Sequence, residues 1–316
     1  MRTFVLRRLL LTIPVIWVVS VLVFFSIRIV PVDAVEARLQ DLGYATPTQL
    51  AKMRHDLGLD RPMYEQYFVW MRQVLRGDLG TSTYTGRSVA SELGKAIPVT
   101  AELGFLAFAI SVLLAVPIGV LSAIRQDSWL DYLCRSVSIA GISIPDFVLA
   151  TLAVILPSIW WGYFAPLGYT RLWDDLARNF EQCLPAGIVL GIVISAPAMR
   201  MVRSTVLEIL REDYIRTAWA KGLRERTIVA RHALKNALIP VVTVWGNQVG
   251  ALLGGVVLIE TIFSLPGVGR LTYTAILERD YTQIVATVLF MALVYVATNL
   301  IVDLLYGYLD PRIRYA

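Results

Sequence analysis

Six stretches without a charged residue punctuate the chain: Leu9–Ile27, Leu103–Ile124, Phe147–Thr170, Gln182–Met199, Asn236–Ile259 and Tyr281–Val302. Each runs for 18 to 24 residues. At ~1.5 Å of rise per helical residue, ~20 apolar residues cover the ~30 Å hydrocarbon core of a bilayer. Each stretch therefore predicts a membrane-crossing helix, and the chain reads as an all-α polytopic membrane protein with six spans. The polar stretches between them carry a second pattern. Tyr64, Tyr67, Phe68, Met71, Val74 and Leu75 recur at helical spacing and predict an amphipathic helix outside the spans. Upstream, Thr46-Pro47-Thr48-Gln49 offers an N-cap, a proline at N1 and a glutamine at N3, the start of another helix that Gly58 closes. Gly77-Asp78-Leu79-Gly80-Thr81 then reads as a turn. These outer helices either pack against the spans and the headgroup layer or form a platform for an outer partner.

Composition narrows the class further. Of 316 residues, 57% are hydrophobic and 17% charged, with mean hydropathy +0.63, whereas a soluble domain carries about 25% charged residues. Cys134 and Cys183 are far apart and lie in or beside apolar runs, so they form neither a disulfide framework nor a metal knuckle. With two histidines and no HExxH, a histidine-rich metal site is excluded. No GxxxxGK[ST] occurs, so the chain lacks a phosphate-cradling loop of its own. The first apolar run follows Arg2, Arg7 and Arg8 but exceeds the ~7–15 residues of a signal-peptide core. No small-x-small cleavage pattern follows, so it reads as a retained helix.

Charge sets orientation, because Lys and Arg in short loops resist translocation. The N-terminus, the segment 125–136, the segment 200–236 and the C-terminal tail hold sixteen basic residues, against four in the alternate short loops. Both termini are therefore expected in the cytoplasm. The basic excess behind the pI of about 9.2 falls mostly in one inter-helix loop, which points to topology and not to nucleic acid. The resulting organisation is an N-terminal tail and first helix (1–30), a long extracytoplasmic loop (31–96), a five-helix core (97–309) containing the cytoplasmic loop 200–236, and a cytoplasmic tail (310–316).

That cytoplasmic loop is the most informative segment. Ile215, Ala218, Trp219 and Gly222 stand at i, i+3, i+4 and i+7 with charges between them, predicting a short helix with a partly apolar face that stops at Gly222. A helix this short is marginal alone and needs a packed partner. The stretches Arg211–Leu223 and Arg231–Thr243 resemble the EAA loop of ABC-importer permeases in the form shown by the dipeptide/oligopeptide/nickel branch. Leu6–Val15, Gly77–Ser82, Glu260–Leu271 and Asp310–Tyr315 look like further landmarks of its first, B-type permease subunit. Arg216-Thr217-Ala218 stands where the general pattern has Glu-Ala-Ala, as in that branch, and one departure from the branch is Pro31-Val32-Asp33-Ala34, where relatives show Pro-Gly-Asp-Pro.

The resemblance implies the type I ABC-importer permease fold and a non-catalytic translocation subunit. It implies a homologous second permease, two cytosolic ATPases that bind ATP and Mg, and an extracytoplasmic substrate-binding protein. No cofactor is expected on this chain. By the same resemblance Arg211, Glu212, Asp213, Tyr214, Arg216, Thr217, Ala218, Ala220, Lys221 and Gly222 couple to an ATPase. Expected cargo is di- or oligopeptide, with nickel chelate, glutathione, opine or oligosaccharide as alternatives within the branch.

Polar groups inside spans are costly and mark candidate pathway positions. Asp146, following Pro145 inside the third span, either caps a helix after a proline break or lines the pathway. Asn247 and Gln248 in the fifth run and Asn299 in the sixth either bridge helices or meet substrate. Glu102 reads as interfacial, and Ser264–Gly269 as a turn or re-entrant gate. Neither a catalytic pair nor an inverted repeat is evident, which disfavours an intramembrane enzyme and a self-contained secondary transporter.

Overall fold

The computed structural model describes residues 2–28 and 60–309. The capping motif at Thr46, Gly58, the Pro31–Ala34 departure and the Asp310–Tyr315 landmark lie outside the described residues. Eleven α-helices follow in order: α1 (Arg2–Arg28), α2 (Met63–Leu75), α3 (Val89–Ile124), α4 (Trp129–Ser143), α5 (Asp146–Trp161), α6 (Leu176–Leu210), α7 (Asp213–Ala220), α8 (Glu225–Thr227), α9 (Leu234–Ile262), α10 (Val268–Leu277) and α11 (Tyr281–Leu309). A π-helical segment, Ile228–Ala233, joins α8 to α9. Among the described residues the sole extended pairing is an isolated bridge between Thr81 and Ser88.

Among the described residues four helices are long and apolar enough to cross a membrane, and counting each of two bent pairs as one span raises the candidates to six. The third apolar run is helical over only part of its length, and the proline break expected before it is present. Its helical part ends at Trp161, where Gly162 adopts φ +62, and α4 meets α5 at 100°. Pro145 is the cause: the residue before a proline is driven out of the helical region, and Ile144 is extended at φ −86, ψ 122. With 15 and 16 residues, α4 and α5 each reach only about 24 Å. Segment 125–136, expected as a loop, therefore contributes the start of α4. At the other extreme, α3 begins at Val89, inside the stretch expected to be outer loop, and its 36 residues extend about 54 Å. Proline sits within several of these helices, including Pro98, Pro117, Pro185 and Pro197, as membrane helices tolerate when neighbours satisfy the freed backbone groups.

Helices α3 and α6 form the most extensive contact in the molecule. Their close approach needs glycine: a Cβ on Gly191 would lie 2.6 Å from the Ile110 side chain. Val99, Leu103 and Ala107 of α3 pack with Cys183, Val189 and Leu190 of α6 and with Val256 and Ile259 of α9 in one buried cluster. A second cluster nearer the ends of α3 and α6 includes Ala115, Val202, Val206 and Val241. Helix α1 pairs with α11, and Arg8 forms an ion pair with Asp303 at 3.1 Å. The early part of α1 and the late part of α11 thus share one end of the bundle. The amphipathic α2 forms as its spacing predicts, and Trp70 and Val74 pack against Val23 of α1 and Val285 of α11. Tyr67 is buried and shares a 2.8 Å hydrogen bond with Ser20 of α1. Tyr64, Phe68 and Leu75 of α2 remain exposed.

Candidate functional site

The segment from Arg211 to Leu223 forms α7 and its C-terminal turn. Three backbone features close the helix: the Gly222 amide donates to the Trp219 carbonyl at 2.9 Å, the Leu223 amide donates to the Ala218 carbonyl at 3.3 Å, and Gly222 sits at φ +77. This is the Schellman arrangement, which favours glycine at its left-handed position. No atom lies within 4 Å of where a Gly222 Cβ would be. Glycine is favoured there by backbone conformation alone.

Ile215 and Ala218 are buried and cluster with Ile228, against Ile209, Leu210 and Leu223. The apolar face expected to meet a partner is therefore occupied by the chain itself. Ala218 turns inward, while Trp219, expected on the same face, is 47% exposed. Arg211, Glu212, Asp213, Tyr214, Arg216, Thr217, Ala220, Lys221 and Gly222 are all exposed. Arg216 pairs with Asp213 at 3.3 Å, and Tyr214 accepts a 3.1 Å hydrogen bond from the Asn236 side chain. The result is a short polar ridge with an apolar underside anchored to α6 and the π segment.

Beneath the ridge is an ion pair that the sequence did not signal. Arg203 on α6 donates through Nε and Nη2 to the two oxygens of Asp131 on α4, at 2.8 and 2.7 Å. Asp131 is fully buried and also accepts from the Ser122 hydroxyl of α3 and the Asp127 amide. Three helices are thereby joined at one point. Arg203 had counted only as a topology-setting charge, and nothing local in the sequence links it to a residue 72 positions earlier. An open groove runs from Arg203 past Leu207 and Glu208 to Arg211 and Asp213.

At the other end of α9, the Ser264–Gly269 segment forms a turn leading into α10. Glu260 is fully buried. One of its oxygens accepts from the Thr100 hydroxyl of α3 at 2.6 Å, the other from the Arg270 amide at 2.9 Å. The Thr100 oxygen in turn accepts from the Val268 amide at 2.8 Å. The first turn of α10 is thus latched to α3 and α9. A Cβ on Gly267 would lie 2.0 Å from a Glu260 oxygen, so any side chain there must displace the Glu260 carboxylate. The signal for Glu260 was present in the sequence as the first charge after the fifth apolar run, but its partners were not legible.

A further pair of links ties loops to spans. The Tyr169 hydroxyl donates to Glu102 at 2.7 Å. Burial, and then the Glu102 carboxylate, hold the Tyr169 phenol above its ordinary pKa. Asp280 caps α11 by accepting from the Gln283 amide and accepts from the Ser82 and Thr83 hydroxyls of the turn before α3.

The four pathway candidates are not brought together as one cluster. Asp146 is the first residue of α5, at the 100° break that follows Pro145. One of its oxygens accepts from the Phe147 amide at 2.8 Å, and the other lies 2.7 Å from where a Gly255 Cβ would stand on α9. Asn247 is exposed and Asn299 half-buried. Gln248 is half-buried in the wall of a cavity of about 260 Å³ between α3, α9, α10 and α11.

Comparison with known proteins bears on this arrangement. Residues 115–315 match the family described as "Binding-protein-dependent transport system inner membrane component", and residues 1–103 match the N-terminal part of such membrane components. The dipeptide transport system permease protein DppB of Alkalihalophilus pseudofirmus is 38% identical over 335 residues, with all of both chains covered. DppB of Escherichia coli is 38% identical over 339 residues, covering all of this chain and 99% of the relative. A putative peptide transport system permease protein of Brucella abortus is 40% identical over 316 residues, again with all of both chains covered. Among solved structures, an inward-facing MetNI methionine ABC transporter aligns with TM-score 0.58 at 17% identity, covering 69% of this chain and 96% of that one. An amino acid ABC transporter solved with histidines aligns with TM-score 0.53 at 14% identity, covering 69% and 94%. At such identities the structures establish a shared fold.

Proposed function

The chain belongs to the inner-membrane components of binding-protein-dependent transport systems, and on that premise we propose that it is one of two permease subunits of an ABC importer for short peptides. The observation that carries this reading is the polar ridge of α7, whose apolar underside is filled by its own chain. A surface so built is stable before any partner arrives and offers charges and one tryptophan for docking. On this reading the ridge seats in a groove of a cytosolic ATPase, which binds ATP and Mg. Closure of two ATPases would draw the ridges of the two permeases together and switch the pathway from inward- to outward-facing as a rigid-body movement. Both termini would lie in the cytoplasm, and an extracytoplasmic binding protein would deliver the cargo. The peptide assignment follows the names of the full-length relatives. Asp146, Asn247, Gln248 and Asn299 are the groups proposed to meet it, with no catalytic role for the chain.

The test is affinity purification of the assembled system from mild detergent, with a tag after Ala316, beside uptake of labelled dipeptide. A P-loop ATPase should accompany the native chain and be lost from Gly222→Arg. Uptake should stop on ATP depletion. A chain that purifies without an ATPase, or uptake that survives ATP depletion, would overturn the reading.

A further inference from the structure

The cavity beside Gln248 has the chemistry of a side-chain pocket. Its volume is about 260 Å³, larger than the ~150 Å³ apolar cavity that accommodates benzene in another protein. Phe108, Trp245, Gln248, Phe290, Met291 and Val268 line it, and the surface they present is almost wholly apolar. Thr100 also borders it, but that hydroxyl is engaged by the α10 latch. No charged residue reaches the wall, so the cavity cannot hold an ammonium or carboxylate terminus. It suits an uncharged hydrocarbon group. It is not sealed: Ala101 and Phe108 on its border are exposed. Methionine gives such a wall adaptability, because its side chain is unbranched and flexible.

One feature sets this cavity apart from a lipid crevice. Val268 is the first residue of α10, and its amide is held by Thr100 in the latch with Glu260. The pocket is therefore closed on one side by a short latched helix rather than by a continuous span.

We propose that this pocket receives the apolar or aromatic side chain of the translocated peptide, so that the permease itself contributes selectivity for bulky apolar cargo. The inference rests on the peptide-importer reading. Gly104 supplies the lever, since it borders the pocket and a Cβ there would meet only the Leu252 side chain, at 4.0 Å. Gly104→Leu should fill the pocket, Gly104→Ala should fit without strain, and Met291→Ala should enlarge the pocket.

The experiment measures uptake of Phe-Phe and of Gly-Gly by the complete complex in vesicles, with lipids extracted from each purified variant and weighed by mass spectrometry. Gly104→Leu should lower the ratio of Phe-Phe to Gly-Gly uptake by about tenfold, the scale of one or two methylenes in an apolar pocket. Gly104→Ala should shift the ratio little, and Met291→Ala should raise it for bulkier side chains. A ratio unmoved by both Gly104→Leu and Met291→Ala would overturn the proposal. So would loss of a bound lipid from Gly104→Leu with the ratio unchanged, which would make the cavity an acyl-chain site. Should Gly104→Leu fail to assemble, Met291→Ala decides alone. If the native complex imports neither dipeptide, the peptide reading itself fails, and that outcome is distinct from a failure of the pocket.

Discussion

Two glycine turns at opposite ends of α9 show how different the demands on the two ends are. Gly222 closes α7 in open space, held at φ +77 with no atom near its missing Cβ. Gly267 opens α10 at an ordinary φ of −91, but its missing Cβ would collide with Glu260. The first glycine shapes a surface; the second makes room for a buried carboxylate. Around Gly222 the charged side chains are exposed and joined to the body by few bonds, as suits a surface met by another protein. Around Gly267 every polar group of the latch is paired within the chain, as suits an element that must hold its own position. Conformation therefore governs substitution at the first site, and volume governs it at the second.

The largest expected effect concerns the footing of the exposed end. Arg203→Met leaves the Asp131 carboxylate buried without its bidentate partner, and loss of one member of a buried pair costs about 3–5 kcal/mol. Thermal unfolding of the purified chain should show that loss, and the double variant Asp131→Leu with Arg203→Met should recover most of it. If single and double variants are equally destabilised, the ion pair is not what joins α3, α4 and α6.

Gly267→Ala sharpens the comparison at the buried end. Overpacking of this kind costs about 1–3 kcal/mol, and the latch on Thr100 should open, so both stability and uptake should fall. Gly267→Asn should be worse still, being larger. An alanine tolerated without change in either readout would show that Glu260 has another place to go.

Gly222 should behave in the opposite order. Alanine in the left-handed region costs about 1–2 kcal/mol, confined to one turn, whereas asparagine visits that region more readily. Gly222→Asn should therefore retain more ATP-driven uptake than Gly222→Ala, with global unfolding little altered for either. The reverse order would mean that space, not backbone conformation, limits this site, and the contrast between the two turns would collapse.

Much of the architecture was legible before folding. The lengths of the apolar runs announced helices long enough to span a bilayer, the spacing of Tyr64, Tyr67, Phe68, Met71, Val74 and Leu75 announced the amphipathic α2, and Gly222 marked the end of α7. The proline break before Asp146 was legible, but its 100° angle depended on how α4 packed against α6 and α5 against α6 and α9. The short helix α7 was located correctly, but its inward and outward faces were not separated. Trp219 and Ala218 are both apolar-compatible and adjacent, and only the position of Ile228 and Leu210 decides that Ala218 is the one covered.

By itself the sequence determined which segments can enter a bilayer and where a left-handed glycine ends a helix, because hydropathy and backbone preference are properties of a few consecutive residues. Tertiary structure alone decided that Arg203 meets Asp131, that Glu260 reaches Thr100 and the start of α10, and that Gln248 borders a cavity. Those pairings join residues 72, 160 and more positions apart. Their strength comes from exclusion of water and from the exact fit of neighbouring helices, neither of which exists until the helices have packed.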